Sequence, residues 1–274
     1  MVCESLLIMC LDFGIRQDQS MLSTHGHAIS KLDVMKSIIV DQLNKYRNDD
    51  LAENLYVVVI GFTQDAKIIG MSKASEISKD RAVLNVWFDT SVNELRMRKG
   101  MLSNLTSASK LARSIYDKAL VGDMSVFKLD KFESFYSHMV ITEPRSYKGY
   151  VGESQCTYQV PNIRVILFSG GMQSNAFELK NYFESAKLCD FPYKSFTGVI
   201  SVHLNGTNTD LITGYENMYK LAGTCPVHGR KGIVAINCAD DVSKFYKTPL
   251  MFARHFGVLC EDCIKHEVAV KAAK

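Results

Sequence analysis

The sequence predicts an α/β three-layer sandwich: a central, mostly parallel sheet with one antiparallel edge strand and helices on both faces. Three observations carry this expectation. Short, unbroken apolar runs recur along the chain, at Leu6–Asp12, Leu55–Phe62, Ile163–Ser169, Val199–Leu204 and Ile233–Cys238. Strands buried on both faces, as in a parallel sheet, read this way. Segments with a helical apolar period stand between several of them. The first run, Leu6-Leu7-Ile8-Met9-Cys10-Leu11, ends in the carboxylate of Asp12, at the strand end where open α/β sheets place their ligands.

Composition narrows the class. A chain of 274 residues can bury a large core. Its 47% apolar and 22% charged content is that of an ordinary globular protein. A net charge of +3 without clustered Lys and Arg does not by itself mark a nucleic-acid binder. Five prolines and no low-complexity tract argue against long linkers. Glu4 interrupts the first apolar stretch, and no basic segment precedes it, so no signal peptide is expected. No run is long enough to span a bilayer. The expected setting is intracellular and cytoplasmic, with the eight cysteines reduced.

Taken in order, Lys31–Arg47 is the first expected helix. Met35, Ile38, Ile39 and Leu43 share one face, and Ser30 is placed to cap it. The strand Leu55–Phe62 is β-branched. Lys67–Met71 and Arg81–Phe88 alternate more and are expected as an antiparallel hairpin at the sheet edge. Ser103–Leu120 is a second helix, and Asn175–Ala186 and Asp241–Phe256 are two more. The loop tips at Asp12, Ser103 and Ser169 are expected to converge on one rim.

Strand, helix, strand, hairpin, helix, with Asp12 ending the first strand and Ser103-Asn104 opening the later helix, resembles a von Willebrand factor A (vWA) domain, a Rossmann-like fold. The resemblance covers roughly residues 1–120 and 160–258. It implies a metal-ion-dependent adhesion site built from three turns, in which hard oxygen ligands hold a divalent cation. In the family's Asp-x-Ser-x-Ser turn this chain has Asp12-Phe13-Gly14-Ile15-Arg16, so glycine and arginine replace both serines. The second turn reads Leu102-Ser103-Asn104, and the third reads Phe168-Ser169-Gly170, with Ser169 where the family has aspartate. The implied binding rim is Asp12, Gly14, Arg16, Ser103, Asn104, Ser169 and Gly170. It is a degenerate adhesion site in which Mg²⁺ is not expected, because Arg16 is placed to neutralise Asp12.

Three further stretches suggest chemistry. Residues 121–162 form an insertion rich in aromatics, Phe127, Tyr136 and Tyr150 among them, which suits either a binding surface or a private subdomain. Ser169-Gly170-Gly171-Met172-Gln173-Ser174 resembles the phosphate loop of PP-loop ATP pyrophosphatases, whose glycines expose N–H groups to phosphate; Gln173 replaces that family's acidic residue. Cys225-Pro226-Val227-His228 and Cys260-Glu261-Asp262-Cys263 are two knuckles that can close a tetrahedral structural zinc site, with His266 as a spare ligand. A redox pair at Cys260 and Cys263 is the other reading. The seven histidines lie in scattered contexts and support no catalytic triad.

The expectation is one vWA-like domain over residues 1–274, with the insertion at about 121–162 and a zinc-stapled segment at 225–266. The expected function is a non-catalytic protein-interaction or scaffold module in a multiprotein assembly. The vWA resemblance implies partners such as an AAA+ ATPase. The alternatives are an adenylating enzyme using Ser169–Ser174 and a nucleic-acid-associated factor.

Overall fold

The computed structural model describes residues 5–22, 26–44, 55–79, 81–99, 102–120, 145–151, 154–160, 163–185, 199–204, 211–223 and 231–237. Six strands form the main sheet: β1 (Ser5–Asp12), β4 (Leu55–Phe62), β5 (Ala66–Lys73), β8 (Ile163–Ser169), β9 (Val199–Leu204) and β10 (Ile233–Ile236). Their order is β10-β9-β8-β1-β4-β5. All neighbours are parallel except β5, which returns antiparallel to β4 at the edge. The three-layer sandwich with one antiparallel edge strand is therefore observed.

The apolar runs are strands because both of their faces are covered. Leu7, Met9 and Leu11 of β1 join one core with α1 (Lys31–Asn44), α2 (Ala74–Lys79) and α3 (Arg81–Lys99). Leu6, Ile8 and Cys10 point the other way, into a second core with α4 (Leu105–Leu120), α5 (Ala176–Ser185) and α6 (Leu211–Leu221). Every residue from Leu6 to Leu11 is at most 1% exposed, so the central strand has no wet side. Burial on this scale is the main favourable term in folding.

Polar side chains set the helix starts. Ser30 Oγ accepts the Asp33 N–H at 3.0 Å and opens α1. Asn104 Oδ1 accepts the Ser107 N–H at 3.1 Å, so α4 starts at Leu105 rather than Ser103. Asn175 Oδ1 accepts the N–H groups of Phe177 and Glu178 and opens α5.

The expected edge hairpin is corrected. Its first strand is β5, but Arg81–Phe88 is the beginning of α3. Leu84, Phe88 and Leu95 are buried, and Trp87 and Val92 pack beside them, a helical spacing that emerges only over the full nineteen residues. Trp87 lies flat on Gly70 of β5, where a Cβ would collide with the indole. Helix α6 was not anticipated. Gly214, Met218 and Leu221 are its buried face, while Ile212, Tyr215 and Tyr219 are exposed, so apolar residues on both faces hide the period. The stretch after β1 is also more ordered than a plain loop, with a 3₁₀ turn (Ile15–Asp18) and a small hairpin of β2 (Ser20–Leu22) and β3 (Ala28–Ser30).

Within the anticipated 121–162 insertion, β6 (Arg145–Val151) and β7 (Ser154–Val160) pair as an antiparallel hairpin. The proposed zinc ligands Cys225, His228, Cys260 and Cys263, the spare His266 and the expected helix Asp241–Phe256 lie outside the described residues.

Candidate functional site

The site forms where β1 and β8 end side by side. Asp12 is the last residue of β1, and its side chain is fully buried. A carboxylate offers about four lone-pair positions. Here four neutral donors take them. Oδ1 accepts from the Gly14 N–H at 2.8 Å and Ser103 Oγ at 2.7 Å. Oδ2 accepts from Gln17 Nε2 at 2.9 Å and Ser169 Oγ at 2.6 Å. Burial raises the pKa of Asp12 above the usual carboxylate value, and the donors from Ser103, Ser169, Gly14 and Gln17 pull it back only in part.

The predicted rim residues are thus largely brought together. Asp12, Gly14, Ser103 and Ser169 touch directly. Asn104 and Gly170 join through their neighbours. Gln173 bridges to α4: its Oε1 accepts the Leu105 N–H at 2.6 Å, and its Nε2 donates to Asn104 Oδ1 at 3.0 Å. Asn104 Nδ2 donates to Glu178 Oε2 at 3.3 Å. Gly170 O accepts from His203 Nε2 at 3.2 Å. Arg16 is half-buried on the 3₁₀ turn, and the side chain that reaches Asp12 from that turn is Gln17. The turn itself is held by Arg96 of α3, which grips Asp18 through two 2.8 Å bonds and donates from Nε to Phe13 O at 2.8 Å.

The glycine turn after β8 is packed, not open. The Gly171 N–H donates to Ser169 Oγ at 2.9 Å, and the Ser174 N–H donates to Ser103 O at 2.7 Å. Asn217 Nδ2 of α6 donates to Gly171 O at 2.9 Å. Gly171 has φ +77° and lies against Gly214 of α6 so closely that a Cβ at either residue would strike the other's loop or helix backbone.

His203, near the end of β9, is 1% exposed. Burial lowers its pKa to about 4, helped by the charge of Lys31 and opposed by its bond to Gly170. It is therefore neutral at pH 7. Nε2 carries the hydrogen that meets Gly170 O, and Nδ1 has no hydrogen-bond partner among the described residues.

No family model and no curated protein matches this chain. Solved structures do. A D319A mutant of the PilB minor pilin from Streptococcus sanguinis aligns over 89% of this chain and 60% of its own, at 9% identity and a TM-score of 0.52. The fold is of the vWA type. Proximal thread matrix protein 1 from the mussel byssus aligns over 90% of this chain and 48% of its own, at 11% identity and TM-score 0.45. BatB from Bacteroides thetaiotaomicron aligns over 89% of this chain and 100% of its own, at 13% identity and TM-score 0.42. This chain spans 29% to 60% of the lengths of the first three structures it matches. One mussel structure is described as having a zinc-occupied adhesion motif.

Asp12, Ser103 and Ser169 lie at the three turns in which the vWA resemblance implies a cation site. The fit to a cation is poor. Mg²⁺ takes about six oxygens in near-octahedral geometry. Both Asp12 oxygens are already saturated, and Ser169 Oγ both donates to Asp12 and accepts from Gly171. Gly14 and Arg16 contribute no hydroxyl. Among the described residues, no three His, Cys, Asp or Glu side chains are grouped to hold a metal.

Gln17, Asn217 and His203 are the site residues that the sequence did not point to, and Gln173 stood out only as part of the glycine-rich loop. Of the first three, His203 alone carried a signal, as a titratable residue inside the apolar run Val199–Leu204. The amides sit in turns and on a helix whose sequence does not show what they face.

Proposed function

We propose that this chain is a non-catalytic protein-interaction module that presents the carboxyl-end rim of its sheet to a protein partner. One observation carries this reading. Five of the exposed large apolar residues lie on that rim: Ile15 on the 3₁₀ turn, Ile29 before α1, Leu102 beside Ser103, and Phe177 and Ile212 in the first turns of α5 and α6. Phe177 and Ile212 are 69% and 74% exposed. Scattered single apolar residues are normal on a surface, but several around one site mark a contact. The buried, saturated carboxylate beneath them supplies a rigid floor rather than a ligand. Assembly partners of the kind the vWA resemblance suggests, AAA+ ATPases included, are the first to test. Among the described residues, no helix is long and apolar enough to cross a membrane.

The adenylation reading has weaker support. Phosphate loops need free N–H groups, and those of Gly171 and Ser174 are spent on Ser169 and Ser103. The nucleic-acid reading draws only on the small net charge.

Quantitative crosslinking and affinity capture from the native host tests the proposal. It compares wild type with Ile15→Ser/Leu102→Ser/Phe177→Ser and with Val86→Ser, an exposed control on α3. A few apolar contacts near the centre of an interface carry over about 1 kcal/mol apiece, so the triple variant should lose its partner about tenfold or more if one of them is such a contact. Equal capture by the rim variant would refute the proposal. A melting shift with ATP, lost on Gly170→Val, would favour the enzyme reading instead.

A further inference from the structure

We propose that Gln17 is a built-in substitute for the divalent cation of this fold, so that the Asp12 site is closed by a carboxamide and one substitution converts it into a cation-dependent site. In an ion-bound arrangement, a cation would take one oxygen of the aspartate and draw lone pairs from the flanking hydroxyls. Here the Gln17 Nε2–H₂ points at Asp12 Oδ2, and the hydroxyls of Ser103 and Ser169 turn their hydrogens toward the same carboxylate. With Asp12 ionised, the amide turns its N–H₂ inward, because a carboxylate has no hydrogen to offer and the opposite face would set oxygen against oxygen.

A second observation marks Gln17 as placed for this contact. Its other amide atom, Oε1, is buried and has no hydrogen-bond partner among the described residues. A buried acceptor left unpaired costs about 1–3 kcal/mol. Gln17 is itself only 1% exposed, so the side chain forfeits hydration at one end while the other end meets Asp12. The sequence around it agrees. Both residues that would have supplied ligand hydroxyls, at Gly14 and Arg16, are changed, and the donor arrives from the next position along the turn. Arg96 fixes that turn from outside through Asp18 and the Phe13 carbonyl. Gln17 is thus a positioning residue for Asp12, whichever partner the rim takes.

Gln17→Glu is the informative variant. It sets a second carboxylate at hydrogen-bond range of Asp12 Oδ2. Two like charges that close are unfavourable unless they share a proton or a cation. Ser103 and Ser169 can then rotate their hydroxyls and offer lone pairs to the ion. The test is thermal unfolding of the full chain in chelator, in Mg²⁺ and in Mn²⁺, with calorimetric titration of the same ions.

Wild type should melt at one temperature in all three conditions and give no saturable heat. Gln17→Glu should melt lower in chelator and recover by about 5 °C or more with Mn²⁺. A wild-type site that saturates below about millimolar Mg²⁺ or Mn²⁺ and disappears in Asp12→Asn would overturn the proposal. So would a folded Gln17→Glu protein whose melting ignores both ions. If Gln17→Glu is insoluble under every condition, the wild-type titration decides alone.

Discussion

After β1 the chain reads Asp12-Phe13-Gly14-Ile15-Arg16, and after β8 it reads Ser169-Gly170-Gly171-Met172-Gln173. Both turns resemble ligand-binding motifs, and they sit on adjacent strands. The first keeps its anionic residue and has lost the family's hydroxyls, and the structure fills the gap with Gln17. The second keeps its glycines, but uses them for packing against α6 rather than for exposing N–H groups to phosphate. Binding capacity therefore depends on how many donors and acceptors the protein leaves unspent. At both strand ends the described polar groups named above are largely spent on each other, and the exposed residues around them include the apolar Ile15, Leu102 and Phe177.

The largest effect should come from the anion. Asp12→Ala leaves four inward donors without their acceptor. A buried donor left without its acceptor costs about 1–3 kcal/mol, so with four donors affected urea denaturation should show a loss of about 3 kcal/mol or more. A loss under about 1 kcal/mol would mean that the cluster is not a structural joint.

The glycine turn gives the next effect and an internal control. Gly171→Ala adds a Cβ where φ is +77° and where the Gly214 backbone stands, and should cost about 3 kcal/mol. At Gly170 the nearest atom to an added Cβ is the flexible end of Lys31 at 3.3 Å, so Gly170→Ala should cost about 1 kcal/mol or less. Equal losses at the two positions would contradict the packed-joint reading. A phosphate loop would show its difference in nucleotide binding instead.

A smaller effect is expected from pH. His203 holds its folded pKa at about 4, below its ordinary value of 6.5. The unfolded chain then binds more protons between those values, and stability falls as pH drops through that window. The loss is about 2 kcal/mol between pH 6.5 and pH 5. It is read as the difference between wild type and His203→Gln, which cancels the other titrations, including the opposite one of Asp12. An unchanged difference across that range would place His203 in contact with water.

The layered fold was legible because burial on both faces writes itself into a strand as a continuous apolar run. β4, β8 and β9 begin and end where their runs do. The helix α3 was misread because its first eight residues alternate, and its helical period needs the later Val92 and Leu95 to show. The meeting of Asp12, Ser103 and Ser169 was legible through the vWA resemblance, which locates three turns on one rim. The role of Gln17 was not. A glutamine in a turn carries no periodicity, and its partner lies five residues back through a bend that the sequence does not encode locally. The exposed apolar residues of the rim were also invisible, since exposure is a property of the packed structure and not of residue type.

On the geometry of the Asp12 site, Gln17 holds the Asp12 charge in place of an ion. A double-mutant cycle of Asp12→Asn and Gln17→Met, measured by urea denaturation in the presence of chelator, tests it directly. Residues in direct contact within one polar cluster couple by about 0.5–3 kcal/mol. Coupling of at least about 1 kcal/mol is expected with no metal present. Effects that add to within about 0.3 kcal/mol in chelator, or coupling that emerges only when Mg²⁺ is supplied, would contradict it.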